Sequence, residues 1–297
     1  MKINKIAAIS FIMLLFITSA PAEDGTGGQA GAFLRMGVGA RAAGMGNAFT
    51  ALADDGSAIY WNPAGLGFHT QSQLCGMYSQ LTFDRKLNFA SLVLINGNSG
   101  TFSLGWLNFG IDNIDGRDQF GEKLEKFSNN EMAIQAAYSK TFGPILSVGV
   151  GFKYLHHTLA SHKANGIGFD AGVLVKPAKL LRVGCAVQNY EAQLKWDTDS
   201  EHIDMIPMTL RGGVALLPVD NLVVSADMVK TEDTTNLHVG AEYWLNAIIG
   251  IRGGMMANDF VAGASINLKP LQLDYAYVSE SVLDLGATHR LGVVLLF

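Results

Sequence analysis

The dominant pattern along this chain is alternation with a period of two. Over 271–278 one face carries Leu271, Leu273, Tyr275 and Tyr277, and the other Gln272, Asp274, Ala276 and Val278. Over 167–176, Ile167, Phe169, Ala171, Val173 and Val175 oppose Gly168, Asp170, Gly172, Leu174 and Lys176. Over 146–154, Leu146, Val148, Val150, Phe152 and Tyr154 oppose Ser147, Gly149, Gly151 and Lys153. The same rhythm runs through 181–188, 208–216, 222–228, 237–243, 247–255 and 260–268, and is weakest over 74–81 and 87–95. Successive side chains of a strand point to opposite faces. Each segment therefore predicts a strand with one large apolar face and one small or polar face. From residue 71 onward the pattern predicts about fourteen strands at about 16 residues apiece, of which a membrane strand uses about 9–11.

The connections alternate in length. Asn96-Gly97-Asn98, Phe142-Gly143-Pro144, Lys176-Pro177, Leu217-Pro218 and Lys269-Pro270 are tight and carry residues that supply turn dihedrals or stop a strand. Between them fall longer polar stretches at 110–130, 156–166, 190–207, 230–236 and 279–286. Short turns on one side and longer loops on the other are the habit of bacterial membrane barrels with both termini in the periplasm.

Composition sharpens the reading. Apolar residues make up 49% of the 297 residues and charged ones 16%, against about 25% charged in ordinary soluble domains. Gly is abundant at 34 residues and Pro scarce at 7. After its first residues the chain has no run that reads as a spanning helix, and a closed barrel is the other structure that satisfies every backbone group in lipid. The fold class predicted is all-β membrane: an antiparallel transmembrane β-barrel with an N-terminal plug segment inside its lumen.

The two ends support export and insertion. Lys2 and Lys5 precede an apolar run to Ala20, and Ala20-Pro21-Ala22 offers small residues for cleavage before Glu23-Asp24. Residues 1–22 read as a secretory signal peptide, too short for a membrane anchor. No Cys stands there for lipidation. At the other end His289, Leu291, Val293, Leu295 and Phe297 share a face, and Gly292, Leu295 and Phe297 form G-x-x-L-x-F. That ending resembles the signal by which outer-membrane barrels are recognised by their insertion machinery. Outer-membrane lipid and that machinery are the expected partners, and the outer membrane of a Gram-negative-type bacterium, reached by Sec-dependent export, is the expected location.

Charges on the inward faces are the first candidate chemistry. Lys153, Lys176, Arg182, Arg211, Arg252 and Arg290 stand there beside Asp170, Asp227, Glu242 and Asp274. Such charges cannot sit unpaired in a dry interior. Either water fills the lumen or they pair between strands, and a salt-bridged lumen is preferred to a selectivity filter. The net charge of −5 and the lack of a basic stripe argue against nucleic acid. Cys75 and Cys185 read as small residues on apolar strand faces, although a disulfide is open to an exported protein.

The domain plan is then 1–22 signal peptide, 23–68 leader and lumenal plug, and 69–297 barrel. The stretch 37–68 lacks lipid-facing alternation and suits a barrel too wide for its own side chains to fill. Within it 40–53 is predicted helical, with Asp54 and Asp55 at its polar end. Tyr60 and Trp61 are expected to anchor against the wall, and Asn62 to satisfy backbone groups around the turn at Pro63. Met36, Met45, Phe49, Leu52 and Trp61 read as core, or as the lining of an apolar pocket.

The order Leu34-Arg35-Met36-Gly37-Val38-Gly39-Ala40-Arg41-Ala42-Ala43-Gly44-Met45-Gly46, then Ala53-Asp54-Asp55, then Tyr60-Trp61-Asn62-Pro63-Ala64-Gly65-Leu66 resembles the opening of PorV/PorQ-family outer-membrane proteins. Its W-N-P-A-G-L element is shared with the wider superfamily of FadL-type long-chain fatty-acid transporters. The resemblance covers about a tenth of the chain and implies a plugged fourteen-stranded barrel. It implies Arg41, Gly44, Gly46, Asp54, Asp55, Tyr60, Trp61, Asn62, Pro63 and Gly65 as plug residues. It also implies a partner of type IX secretion, meeting secretion subunits or cargo at the outer loops 110–130 and 190–207. The alternative it implies is a FadL-like channel for hydrophobic small molecules such as fatty acids. A sealed, structural barrel is the third reading.

Other signals fall away. Gly37-Val38-Gly39-Ala40-Arg41-Ala42 fits G-x-G-x-x-A, but a nucleotide fingerprint needs a preceding strand and a βαβ unit. His156, His157 and His162 lack the companions of a zinc site and read as loop histidines. No G-x-S-x-G elbow is present. The expectation is a non-enzyme without cofactor or metal.

Overall fold

The structure, a computed structural model, describes residues 29–232, 234–280 and 286–297. The predicted signal peptide lies outside these residues. In chain order the strands are β1 (Gln73–Gln80), β2 (Arg85–Ile95), β3 (Thr101–Ile114), β4 (Phe127–Phe142), β5 (Leu146–Leu159), β6 (His162–Ala178) and β7 (Leu181–Tyr190). Two short strands follow, β8 (Gln193–Trp196) and β9 (Ile203–Met205). The chain continues with β10 (Thr209–Val219), β11 (Leu222–Thr231), β12 (Thr234–Trp244), β13 (Ile249–Met256), β14 (Asp259–Leu268), β15 (Leu271–Glu280) and β16 (Gly286–Leu296).

Apart from the β8–β9 hairpin, each strand pairs antiparallel with a neighbour on both sides, and β1 pairs with β16 to close a fourteen-stranded barrel. At that seam Tyr78 faces Leu291 on one side and Asn88 on the other. No described helix is long and apolar enough to cross a membrane. Large apolar side chains instead cover the outer wall, among them Leu104, Val150, Ile167, Ile251 and Leu291. The inner wall alternates with them and is small or polar, as in Ser147, Gly149, Gly151 and Lys153 of β5.

Several connections differ from the predicted loops. β5 and β6 pair without a break as far as Leu159 opposite His162, and β11 and β12 as far as Thr231 opposite Thr234. Polar residues such as His156, Lys163 and Asn165 masked those strand ends. Beyond an apolar band nothing requires an outward face to be hydrophobic, so hydropathy stops before the ladder does. Pro177 and Pro218 lie inside strand ends rather than in turns, each where the register shifts. Proline has no N–H for the ladder and is tolerated at such irregularities.

The β8–β9 hairpin extends β7 and β10 after a kink. Ladder pairing stops at Gln188 opposite Thr209, and the Ile206 N–H donates to the Ala192 carbonyl at 2.9 Å beyond the break. Asn189 and Glu191 adopt left-handed φ values of 59° and 51° there. The kink tips Ala192, Leu194 and Ile206 inward, where all three are buried.

Inside the barrel lies the N-terminal segment. Helical turns at Ala32–Arg35, Ala40–Gly44, Ala58–Trp61 and Pro63–Phe68 stack in the lumen, and nearly every residue from 38 to 66 is buried. The helix predicted over 40–53 is only the five residues Ala40–Gly44. Gly46 at φ 63° and Asn47 at φ 60° turn the chain left-handed directly after it. Glycine and asparagine are the residues that tolerate such a helix stop.

Candidate functional site

The core of the lumen segment is aromatic. Trp61 and Phe49 are fully buried, and the Tyr60 and Trp61 rings meet edge to face with centroids 4.7 Å apart. A buried aromatic hydroxyl or indole N–H needs a partner. Tyr60 Oη donates to the Leu34 carbonyl at 2.7 Å and accepts from the Gly37 N–H at 3.1 Å. Trp61 Nε1 donates to the Val38 carbonyl at 3.0 Å. These contacts fold the segment onto itself, while Gln188 of β7 at the Tyr60 carbonyl and Arg211 of β10 over the Trp61 ring join the pair to the wall.

Asn62 and Pro63 set the turn that follows. Asn62 Oδ1 accepts from the Ala64 N–H at 3.1 Å, capping the helical turn that Pro63 begins. Its Nδ2 donates to the Thr50 carbonyl at 2.9 Å and the Val173 carbonyl at 3.2 Å. One side chain thus joins two parts of the segment to β6. Three motif glycines mark close approaches. A Cβ on Gly44 would press on the Arg252 stem, one on Gly46 would come within 2.6 Å of the Val239 carbonyl, and one on Gly65 would overlap Ala53.

Arg41, Asp54 and Asp55 meet at one point. Arg41 Nη1 lies 2.5 Å from Asp54 Oδ1 and 3.6 Å from Asp55 Oδ2, while its Nη2 lies 2.7 Å from Glu242 Oε1 on β12. Asp54 also binds Arg182 of β7 at 3.0 Å. Glu242 binds Arg252 of β13 at 3.1 Å, and Arg252 binds Asp274 of β15 at 3.1 Å. Ser265 hydrogen-bonds with both Arg252 and Asp274. Burial pushes the Asp54 carboxyl up, but Arg41 and Arg182 more than offset it and leave it at about 2. Among the described residues Asp55 pairs with Arg41 alone, and burial holds its carboxyl above the ordinary range despite Arg41 and the Ser57 hydroxyl.

The other inward charges are also engaged. Lys153 lies 2.9 Å from Asp170 and donates to Asn189 Oδ1 at 2.8 Å. Arg211 donates to Gln188 Oε1 at 2.9 Å, with its guanidinium 4.7 Å from the Trp61 ring centroid. Asp227 accepts from the Phe49 and Thr50 N–H groups at 2.9 and 2.8 Å. Arg290 donates to the Gly37 and Met36 carbonyls at 2.8 and 2.9 Å. Lys176, half-buried, sits 3.8 Å from the Phe68 ring centroid. A mostly closed, salt-bridged lumen is what these distances describe.

Sequence reasoning missed several members. Gln188, whose Nε2 donates to the Tyr60 carbonyl, and Asn189 are consecutive yet both buried. That is possible only at a bulge, which alternation does not foresee. His238 was legible, being in phase with Glu242 on β12, and its Nδ1 lies 2.8 Å from the Gly46 carbonyl.

The remaining candidates lie elsewhere. Gly292 faces the lumen against Ala40, whereas Leu295 and Phe297 face outward. Cys75 is buried, Cys185 is exposed on the outer wall, and both are free thiols. His156 bonds Asn165 and Thr158, and His157 bonds Asn129 and meets the Trp196 ring at a tilt, 4.9 Å between centroids.

The long-loop half of the lumen is the apolar part. Leu81, Leu87, Phe109, Leu155 and Leu194 are buried there with Phe33 and Leu34 of the segment in one cluster. Beside it, at the β6–β7 wall, the ladder jumps from Phe169–Tyr190 to Ala171–Val187, and Asp170 Oδ1 takes the Asn189 N–H in place of a ladder bond.

No family model and no curated protein matches this chain. Among solved structures it resembles the toluene transporter TodX of Pseudomonas putida, with a TM-score of 0.64 at 13% identity over 88% of this chain and 97% of that one. The toluene transporter TbuX of Ralstonia pickettii gives 0.59 at 14% identity, with coverage of 88% and 97%. A FadL homologue of Pseudomonas aeruginosa gives 0.56 at 13% identity, with coverage of 83% and 95%. At these identities the likeness establishes a shared FadL-like barrel fold.

Proposed function

We propose that this chain is an outer-membrane channel for hydrophobic small molecules, seen with its lumen closed. The observation that carries the reading is the apolar cluster in the long-loop half of the lumen, formed with Phe33 and Leu34 of the N-terminal segment and beside the interrupted β6–β7 ladder. A pocket for an apolar solute is mostly hydrophobic with a few placed polar groups. Leu87, Phe109, Leu155 and Leu194 supply the first, and the Lys153–Asp170–Asn189 set, at the wall break, supplies the second. The fold shared with hydrocarbon transporters supports the same reading.

In this proposal the short turns face the periplasm and the outer loops face the medium. Residues 23–68 serve as leader and plug, residues 69–297 as the barrel, and the Gly292–Leu295–Phe297 ending as the assembly signal read by the insertion machinery. The motif residues Arg41 to Gly65 and the inward charges hold the closed state. The test is uptake of labelled toluene and of labelled oleate by cells lacking their own hydrophobic-compound channel. Uptake several-fold above the empty vector is expected for one or both, and none from a correctly inserted barrel would reject the proposal.

A second reading keeps the PorV/PorQ resemblance: an accessory of type IX secretion that holds cargo at its outer loops. Exposed aromatics at loop tips favour it, with Phe83 74% and Phe120 81% exposed amid charged neighbours. Co-purification of secretion subunits or cargo from the native membrane, with no hydrocarbon uptake, would transfer the assignment.

A further inference from the structure

Contacts between the lumen segment and its wall change character around the barrel. β1–β5 offer apolar side chains such as Phe89, Leu107 and Leu155, together with neutral hydroxyls. Ser91 Oγ donates to the Gly56 carbonyl at 2.8 Å, and Ser147 Oγ to the Ala64 carbonyl at 2.6 Å. From β6 onward charge is added to apolar and neutral contacts such as Ala43 in the Val261–Ala276 cluster and Ser225 Oγ on the Ala48 carbonyl. Lys176 and Arg211 lie over Phe68 and Trp61, Arg182 binds Asp54, and Glu242 binds Arg41. Asp227 and Arg290 hold backbone groups of the segment. The ion pairs form one chain, Arg182–Asp54–Arg41–Glu242–Arg252–Asp274, which reaches from β7 to β15. Its short-turn end meets water: the side chain of Asp54 is 34% exposed and that of Arg182 17%.

The two halves respond differently to water. Parting apolar surfaces exposes them and costs free energy in proportion to area. Parting ions costs far less when water follows, because each regains hydration given up on burial. Among the described residues, the buried Arg211 Nη1 on β10 has no hydrogen-bond partner in the closed state, so hydration there gives up no existing bond. The ion chain, confined to one side of the segment, is therefore the contact that water takes over at least cost, and it acts as a latch.

We propose that breaking this ion chain lets water part the segment from its charged wall and opens a water-lined crescent along β6–β16 that passes small ions, an activity separate from hydrophobic transport. Arg41 is the keystone, since among the described residues it alone joins the segment's carboxylates to the β12–β15 end of the chain. The crescent would be lined by Arg182, Arg211, Arg252, Asp227, Glu242 and Asp274.

The experiment is planar-bilayer recording in potassium chloride of purified wild type, Arg41→Gln, Asp54→Asn, the double variant, and Lys195→Gln as a control in an exposed loop pair. Each barrel is first shown folded by its fast migration in unheated gels. Wild type and Lys195→Gln are expected to conduct little, with at least ten-fold greater mean current in Arg41→Gln, Asp54→Asn and the double variant. Latch variants that are folded yet conduct no more than wild type would overturn the proposal. So would a wild type that already conducts as well as they do. Should Arg41→Gln fail to fold, Asp54→Asn carries the same decision, because Asp54 is partly hydrated already. Hydrocarbon uptake does not enter this readout, so either proposal can fail alone.

Discussion

At the residue scale the side chain with most to lose is Asn62. Fully buried, it makes three hydrogen bonds that no other side chain of the turn replaces. Asn62→Ala strands the Thr50 carbonyl and cuts the tie to Val173 of β6, and an unsatisfied buried group costs about 1–3 kcal/mol. The segment should loosen by roughly that amount while the barrel persists. Trypsin digestion in detergent checks this: faster cleavage within 29–68 with strands 69–297 intact is expected, and unchanged resistance would refute it. Asp54 gives the pH dependence. Its carboxyl is held at about 2, below its unfolded value near 4. Its contribution is thus complete above about pH 4 and is lost as pH falls through about 2. Pepsin access to the segment should therefore rise between pH 4 and 2, and Asp54→Asn should remove that rise. Asp54 itself was legible from its place in an Ala-Asp-Asp run, but its partner Arg182, 128 residues away, was not. Alternation says that Arg182 faces inward, whereas the identity of its neighbour depends on how the segment folds.

At the element scale, alternation located strands well wherever one face met an apolar surrounding and poorly where both faces met polar ones. The weakly patterned stretches over 74–81 and 87–95 nonetheless form β1 and β2, because pairing with β16 and β3 supplies what local pattern does not. The helix over 40–53 failed for the opposite reason: an alanine-rich run favours helix, but Gly46 sits where a left-handed turn and a close wall are both required. Gly46→Ala brings a Cβ within 2.6 Å of the Val239 carbonyl and strains φ besides. It should unseat the Ala40–Gly44 turn, read as increased protease cleavage in the native detergent extract. The last strand supplies an assembly prediction. Phe297 is 61% exposed and contributes only its N–H, to the Ser72 carbonyl at 3.0 Å, so the folded barrel barely depends on its ring. Deleting it should lower the amount inserted in the outer membrane while leaving inserted molecules as heat-stable as wild type. Equal insertion would show that the ending is not read as a signal.

For the whole molecule, the inner wall is fitted to its contents. Gly149 abuts Pro63, Gly172 abuts Asn62, Gly184 abuts Thr50 and Ala51, and Gly240 abuts Met45, each at a distance that leaves no room for a Cβ. These glycines were visible as the small face of alternating strands, but a small face alone does not distinguish an open pore from a filled one. The distinction comes from the aromatic core and carboxylates of residues 29–68, which are complementary to the spaces the glycines leave. The barrel's own hydrogen-bond ladder, by contrast, closes between strands 73–296 without the segment, and its outer apolar face is unaffected by what fills the lumen. Removing 29–68 should therefore leave a barrel that still inserts, since charges such as Arg211, Asp227 and Glu242 would exchange protein partners for water. A barrel of this strand number with glycine-lined walls is too wide for its own side chains to fill. The truncated chain should then form a stable, ohmic pore in planar bilayers that remains open without substitution of any latch residue. If it instead fails to insert or conducts nothing, the segment is part of the barrel's folding core rather than its removable contents, and the one-sided latch would have nothing to release.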